Sequence, residues 1–295
     1  MKLAAPYRML RHYLNHPLGR RDRLGTLARI VRWQAGSRLL GAPVAMPFVD
    51  GTRLLVQTGM HGATGNVYVG FMEFEDMAFV LHFLRKDDVF LDVGANVGVY
   101  SILAASRDAS VVAMEPVPTS YDYLLDNIYL NRFHSLVEAR NVGVGSSQGK
   151  LRFTTRTGPT NHVLAEGESA DDAVTVSVET LDDIAQSATM IKVDVEGFET
   201  EVIDGAAGLL AQGALQAVLI ELNGLGARYG FSDVEIHERL LDFGFRPVRY
   251  EPFKRQLILL DHHQSSGNTL YIRPSADLEQ RLFHAHPAVW GKIEI

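Results

Sequence analysis

The chain has 295 residues, 46% hydrophobic and 9% aromatic, which is typical of a globular protein with one large core or two modest ones. It contains no cysteine, which excludes disulfides, thiolate nucleophiles and cysteine-ligated metals and favours a cytoplasmic location. The net charge is −7, but residues 1–40 carry nine Lys or Arg against one acid, so the remainder is strongly acidic. An acidic body argues against a nucleic-acid substrate, which would need phosphate neutralisation near the site.

The first 45 residues are predicted to form a basic helical extension, because apolar residues such as Leu10, Leu14, Leu27 and Val31 recur at helix spacing. No run of roughly 18 apolar residues is present, so the sequence predicts no transmembrane segment. Three roles are open for this basic extension: peripheral contact with an anionic membrane, contact with an acidic partner or a second copy in a homodimer, or plain packing on the domain.

Residues 46–85 are predicted to lead into the main domain. The pattern indicates a hairpin of strands 47–49 and 54–57 around Asp50-Gly51, then a glycine-rich loop over 59–70 and a helix over 75–84. Strands and helices alternate from Asp88 onward, which predicts a mostly parallel sheet of seven strands with helices on both faces. Three strands, 245–250, 257–260 and 269–272, are predicted to close this 86–275 domain as antiparallel strands, and 276–295 to form a C-terminal helix or tail.

The most informative segment follows the first strand of that domain, where Asp92, Gly94, Asn96 and Gly98 form a D-x-G-x-N-x-G turn immediately before a helix. Glycines allow the backbone to turn sharply and to approach a ligand closely. A dinucleotide site would instead carry G-x-G-x-x-G to seat a pyrophosphate. The acid at Asp92 suits a cationic group, such as a sulfonium cofactor with an α-amino group.

Further cofactor contacts are predicted at the ends of the neighbouring strands. Glu115 ends the second strand and is placed to accept both ribose hydroxyls, and Asn141 ends the third and could reach the adenine edge. Glu73 precedes the domain and either folds over the cofactor's amino group or starts a solvated helix.

Asp194 and Glu196 lie at the carboxyl end of a later strand, two residues apart, so both carboxylates could face one pocket. They are candidates for the general base of a methyl transfer to oxygen, or for ligands of a divalent ion that lowers the hydroxyl pKa. The alternative is that they cap the following helix. Glu221 ends the next strand and is a further candidate for binding acceptor or metal, or simply a polar strand terminus. His162, in a glycine-rich stretch over 157–172 that could form a lid, is a competing base or an exposed loop residue.

Taken in order, these segments resemble the FkbM family of methyltransferases across residues 65–272, about two thirds of the chain. The landmarks are the Gly-x-x-x-x-Glu segment at 70–75, DVGANVGVYS at 92–101, MEPVPTS at 114–120, the Asn127/Asn131 pair, the turns at 142–145, 149–151 and 181–183, and IKVDVEGFE at 191–199. The resemblance implies a Rossmann-like class I methyltransferase fold, S-adenosylmethionine as cofactor, and O-methylation of a sugar, glycan or other small-molecule hydroxyl. It also implies cofactor roles for Asp92, Gly94, Asn96, Gly98 and Glu115, but not the identity of the acceptor.

Two other functions compete with this interpretation. A nicotinamide-dependent oxidoreductase would use a similar sheet, although the pyrophosphate glycine pattern and a Tyr-x-x-x-Lys pair are missing from the sequence. A protein that binds S-adenosylmethionine without catalysis and acts as an assembly partner would keep the same turn.

Overall fold

Three helices open the chain in the computed structural model, which describes residues 4–155, 161–165, 168 and 173–295. They are α1 (Ala4–Asn15), α2 (Pro17–Arg21) and α3 (Arg23–Leu40). Asp22 caps α3 by accepting a hydrogen bond from the Gly25 backbone at 3.0 Å, and Gly41 ends it with a left-handed φ of 60°. Among the described residues, no helix is both long and apolar enough to cross a membrane.

The lead-in segment contains a hairpin and two helices, β1 (Val44–Pro47), β2 (Arg53–Val56), α4 (His61–Val69) and α5 (Phe74–Phe83). The prediction of a glycine-rich loop over 59–70 is wrong, because most of that stretch is α4. Val67 and Tyr68 are buried against the core, and this packing outweighs the low helix propensity of the glycines.

The remaining strands and helices alternate as expected for an α/β domain. The strands are β3 (Val89–Val93), β4 (Ser110–Met114), β5 (Val137–Arg140), β6 (Gly143–Val144), β7 (Gly149–Phe153), β8 (Val174–Glu179), β9 (Met190–Val193), β10 (Ala217–Glu221), β11 (Arg246–Glu251), β12 (Gln256–Leu259), β13 (Asn268–Ile272), β14 (Val289–Trp290) and β15 (Ile293–Glu294). The helices are α6 (Val99–Ala105), α7 (Pro118–Leu130), α8 (Leu181–Ile184), α9 (Glu199–Asp204), α10 (Ala207–Ala211), α11 (Asp233–Asp242) and α12 (Ala276–Phe283).

The main sheet has the strand order β12-β11-β13-β10-β9-β3-β4-β5, which is a Rossmann-like arrangement. It has eight strands rather than the predicted seven, because the hairpin partner β12 extends the edge beyond β11. The prediction that the three closing strands are antiparallel is confirmed. β11 pairs antiparallel with both β12 and β13, and β13 pairs antiparallel with β10.

Helices cover both faces of the sheet, because successive residues of the central strands enter different cores. Phe90 packs in a cluster with residues of α5, α6 and α12, whereas Leu91 packs in a cluster with residues of α9, α10 and α11. The strand order reverses between β3 and β9. The carboxyl ends of the strands on either side of that point form the crevice where open α/β sheets bind ligands.

Candidate active site

A cavity of about 230 Å³ opens at this crevice. Its walls come from the turns after β3, β4 and β9, from the end of β10, from the loop around Asn161 and from α4 and the start of α5. Seven of the eleven predicted site residues were expected to bind cofactor, and of these Gly94, Asn96, Glu115 and Glu73 lie on the wall. The predicted catalytic or metal-binding residues Asp194, Glu196 and Glu221 lie there too, whereas Asp92, Gly98, Asn141 and His162 do not.

The turn after β3 is held in a conformation that favours glycine at two positions. Gly94 has a φ of 74° and Gly98 a φ of 86°, with Asn96 also left-handed at 51°. A Cβ atom on Gly94 would collide with the carbonyl oxygen of Asp194, so the turn rests directly on the end of β9. Gly98 starts α6 and lies against Leu124 rather than on the cavity wall.

Asp92 lies behind this turn, with only 1% of its surface exposed. The Ser101 hydroxyl donates a 2.6 Å hydrogen bond to its Oδ2, while Oδ1 has no partner among the described residues. Burial raises the pKa of Asp92, and the charge of Lys192 opposes that rise. The predicted direct contact of this carboxylate with a cationic ligand would therefore need Oδ1 to reach past the turn.

Glu115 forms the floor of the cavity beside β4. Its carboxylate accepts hydrogen bonds from the backbone N–H groups of Asn96 at 2.8 Å and Val117 at 2.9 Å. Burial raises the pKa of Glu115 to about 7, although both bonds act in the opposite direction. The amide of Asn141 donates to the backbone oxygens of Glu115 at 2.8 Å and Pro116 at 3.0 Å, so Asn141 supports this turn from outside the cavity.

The backbone donors of the turn after β3 are already used within the protein. The N–H groups of Gly94 and Ala95 both donate to the Met114 oxygen at 3.0 Å, and that of Asn96 donates to Glu115. The N–H of Gly98 donates to the Ala95 oxygen at 2.8 Å. A pyrophosphate bound here would find four of its usual donors occupied and a carboxylate in front of it.

Lys192 is a site residue that the sequence reasoning missed. It is 4% exposed, and its Nζ donates to Asp194 Oδ2 at 3.0 Å and lies 4.9 Å from the ring centre of Tyr100. Burial alone lowers the pKa of Lys192, but Asp194, Asp92 and Glu73 together raise it above its ordinary value, so the ammonium stays charged. The available signal was a lysine inside an otherwise apolar buried strand.

Glu73 joins the same network from the start of α5. Glu73 Oε2 accepts a 2.6 Å hydrogen bond from the Tyr100 hydroxyl, and Glu73 lines the cavity. Desolvation by the surrounding protein raises the pKa of Glu73, while Lys192 lowers it. Glu73 is the residue before α5 and is exposed, so a contact with the cofactor's amino group and a solvated helix start both stay predictions. Sequence reasoning gave no role to the wall residues Asn66, Met72 and Tyr100. Asn66 was missed because α4 was predicted to be a loop.

Three carboxylates meet at the ends of β9 and β10. One oxygen each from Asp194, Glu196 and Glu221 lies within 4.8 Å of the others. Burial raises the pKa of Glu196 to about 7 and that of Glu221 to about 8, with the negative charge of Asp194 adding to both. Glu199, not Asp194 or Glu196, accepts hydrogen bonds from the Gly197 and Val195 backbones at 3.1 and 3.3 Å and so stabilises the turn into α9.

His162 lies beside the cavity rather than on its wall, which is formed by its neighbours Asn161 and Val163. Its Nε2 is 3.1 Å from the carboxylate of Glu168. Most of the predicted lid, residues 157–160, 166–167 and 169–172, lies outside the described residues. The aromatic rings of Phe153 and Phe198 complete this side of the cavity.

The donor set fits a cationic methyl donor better than a dinucleotide. The cavity offers a glycine turn, the strand-end Glu115 and several further carboxylates, whereas the backbone N–H groups of the turn after β3 are largely engaged. Opposite charge on a sulfonium and an α-amino group would be stabilised by this acidic wall.

Comparison with known proteins agrees with this chemistry. The Methyltransferase FkbM domain model matches residues 92–247, more than half of the chain. Hexuronic acid methyltransferase AglP of Haloferax volcanii is 29% identical over 147 residues, which is 47% of this chain and 57% of that protein. Methyltransferase sdnD of Sordaria araneosa is 31% identical over 169 residues, which is 45% of this chain and 65% of that one.

The matched region thus spans less than two thirds of either relative. Among solved structures, the FkbM methyltransferase of Methylobacillus flagellatus aligns with a TM-score of 0.44 and 17% identity, covering 83% of this chain and 60% of that one. The family match and the cavity chemistry together lead to one assignment: the chain belongs to the FkbM family of methyltransferases.

Proposed function

We propose that the chain transfers a methyl group from S-adenosylmethionine to a hydroxyl of a sugar, glycan or other small-molecule natural product. The observation that carries the proposal is that the glycine turn and the three carboxylates of Asp194, Glu196 and Glu221 share one cavity. The hexuronic acid specificity in the name of the Haloferax relative supports a carbohydrate acceptor.

On the cofactor side, Glu115 is proposed to accept the ribose hydroxyls, and Gly94 and Asn96 to hold the backbone close to the ligand. Glu73 and Asp194 lie on the same wall and would face the positively charged groups. When bound, S-adenosylmethionine supplies a methyl carbon activated by its sulfonium. The turn and Glu115 would fix the orientation on which an in-line transfer depends.

On the acceptor side, Glu196 is the carboxylate best suited to take the hydroxyl proton. A general base works best when its pKa is close to the operating pH, and the pKa of Glu196 is about 7. Asp194 Oδ2 accepts a hydrogen bond from Lys192 Nζ at 3.0 Å, which fixes its position and leaves it to orient the acceptor. His162 is a less suitable base because its ring lies off the cavity wall and bonds Glu168.

A divalent ion is the second proposal for the same three acids. Carboxylate oxygens are the ligands that Mg²⁺ and Ca²⁺ prefer, and Asp194, Glu196 and Glu221 bring theirs within 4.8 Å of one another. Such an ion would lower the pKa of a bound hydroxyl and replace the need for a protein base. Activity that is lost on chelation and restored by Mg²⁺ would select this version over the base mechanism.

The test uses isotopically labelled S-adenosylmethionine and a panel of hexuronic acids, neutral sugars and polyketide alcohols. We expect label in a carbohydrate fraction. Glu196→Gln should lower turnover at least about a hundredfold, the usual contribution of a general base, with S-adenosylhomocysteine binding unchanged. Glu238→Gln, an exposed glutamate on α11, is the matched control. Wild-type turnover in both Glu196→Gln and Asp194→Asn would refute the assigned chemistry.

The two competing functions remain to be tested against this one. An NAD-dependent oxidoreductase is disfavoured by the occupied backbone donors of the turn and by the family match. A non-catalytic binding partner would keep the glycine turn but would have no need for a wall of carboxylates with raised pKa values such as those of Glu196 and Glu221. Methyl transfer to any acceptor in the panel would eliminate both.

A further inference from the structure

The outward face of α3 is apolar, although it points to solvent. Leu24 is 84% exposed, Leu27 40% and Val31 58%, and Leu39 at the end of the same face is 86% exposed. These four residues, the α3 apolar stripe, recur at the spacing that places side chains on one side of a helix. The opposite face, with Ile30, carries the contacts to the core.

Exposed cations are numerous on the three N-terminal helices, and Arg23, Arg32 and Arg38 lie on α3 itself. The exposed arginines of the three N-terminal helices are Arg8, Arg11, Arg20, Arg21, Arg23, Arg32 and Arg38. The single acid in residues 1–40, Asp22, is already paired with Arg29 at 2.8 Å. The surface therefore combines apolar area with a positive field, in contrast to the acidic remainder of the chain.

We propose that this face binds the surface of an anionic phospholipid bilayer, with α3 lying in the interface plane. An apolar stripe flanked by arginines matches a bilayer, in which the leucines enter the acyl boundary while the guanidinium groups reach the phosphates. A second copy of the chain fits less well, because stacking two such stripes would bring the arginines of both copies together. With 18 residues, α3 is about 27 Å long and presents the whole stripe to one plane.

Membrane binding in this orientation would place the active-site cavity close to the bilayer. The inner side of α3 packs on α4, where Arg29 Nε donates to the Tyr68 oxygen at 2.8 Å and Gln34 to the Tyr68 hydroxyl at 2.6 Å. On its other side α4 contributes Gly62 and Asn66 to the cavity wall. Helices α3 and α4 thus lie between the stripe and the site, but the surface proposal does not depend on which reaction occurs there.

The proposal is tested by flotation of the full chain with vesicles of phosphatidylcholine, with or without about 30 mol % phosphatidylserine, at low salt. We expect binding to the anionic vesicles only, and a decrease of about tenfold when the salt is raised to about 0.5 M. Replacing Leu24, Leu27 and Val31 together by Ser should lower binding at least about tenfold, because the apolar area that enters the interface is lost.

The control is the double substitution Leu259→Ser and Phe283→Ser, which removes side chains that are 69% and 72% exposed on β12 and α12. It should bind like the wild type, and thermal unfolding checks that both variants are folded. Failure of the wild type to float with anionic vesicles, or equal binding of the triple variant, overturns the proposal. The proposal is also overturned if light scattering shows that the wild type is a dimer, that the triple variant is a monomer, and that neither binds vesicles.

Discussion

Replacement of Lys192 by Met tests whether the buried lysine holds the acidic site together. Its ammonium lies 3.0 Å from Asp194 and also interacts with Asp92 and Glu73, and only 4% of the side chain is exposed. Methionine keeps most of the volume but leaves these carboxylates without their cation. Breaking a buried pair by removing one partner costs about 3–5 kcal/mol, so we expect the free energy of unfolding to fall by about 3 kcal/mol at neutral pH.

The pH dependence of this loss has a definite sign. Lys192 lowers the pKa values of Asp92 and Glu73, so its removal raises both folded-state values further above those of the unfolded chain. A carboxyl group whose pKa is higher in the folded state contributes its full stabilisation when the pH is below its unfolded-state pKa of about 4. This contribution is lost as the pH rises through the folded-state pKa. The difference from wild type should therefore be larger at pH 8 than at pH 5.

Urea unfolding of wild type and Lys192→Met at about pH 5 and pH 8 measures the effect. Lys150→Met, at an exposed lysine of β7, is the matched control and should leave stability nearly unchanged at both values. A difference that is independent of pH, or that grows on acidification, would contradict the role assigned to the lysine.

Three further changes probe the turn, its support and the base. Gly94→Ala should lower the free energy of unfolding by more than about 1 kcal/mol, because Gly94 has a positive φ and an added Cβ would collide with Asp194. Calorimetry should show that the affinity for S-adenosylhomocysteine falls at least tenfold. The control Gly149→Ala, whose Cβ would meet open space, should have little effect. Asn127→Ala should lower the free energy of unfolding by about 2–3 kcal/mol, because the side chain hydrogen-bonds the backbones of β2 at 2.7 Å and of the turn after β3 at 2.8 Å. An unchanged midpoint in chemical denaturation would contradict this. The methylation rate should rise with pH through about 7 as Glu196 loses its proton, and an identical profile in Glu196→Gln would assign that step to another group.

The parts of the site that follow from local sequence were predictable. The D-x-G-x-N-x-G turn and the strand-end acid Glu115 depend on a few adjacent residues, and the structure places the glycine turn and that acid on one cavity wall. Asp194 and Glu196 also follow from the rule that ligands bind at the carboxyl ends of parallel strands. Their grouping with Glu221 required only that β9 and β10 be neighbours.

Lys192 could not be assigned from its own strand, because its partners come from elsewhere in the chain. In the register of the sheet it lies directly opposite Asp92 on β3, and Glu73 reaches it from α5. Aligning the two strands as parallel neighbours would have revealed the pair. The same limitation explains α4, where Gly62 and Gly65 favour a loop locally but burial of Tyr68 favours the helix. The side chain of Met72 fills the space that a Cβ atom on Gly65 would need.

The proposed division of the chain into segments after residues 45, 85 and 275 stays a prediction, as does a cytoplasmic location. What the structure adds is that Leu18, Ile30 and Trp33 of the N-terminal helices share one hydrophobic core with the lead-in helices and with one face of the main sheet. Removal of the N-terminal helices should therefore expose apolar surface.

The most direct measurement is parallel calorimetric titration of the protein with S-adenosylmethionine, S-adenosylhomocysteine and NAD. Binding of the two adenosyl ligands, weakened by Glu115→Ala and absent for NAD, is the predicted result, since the turn after β3 offers carboxylates and few free N–H donors. Saturable binding of NAD without heat from S-adenosylmethionine would contradict the account.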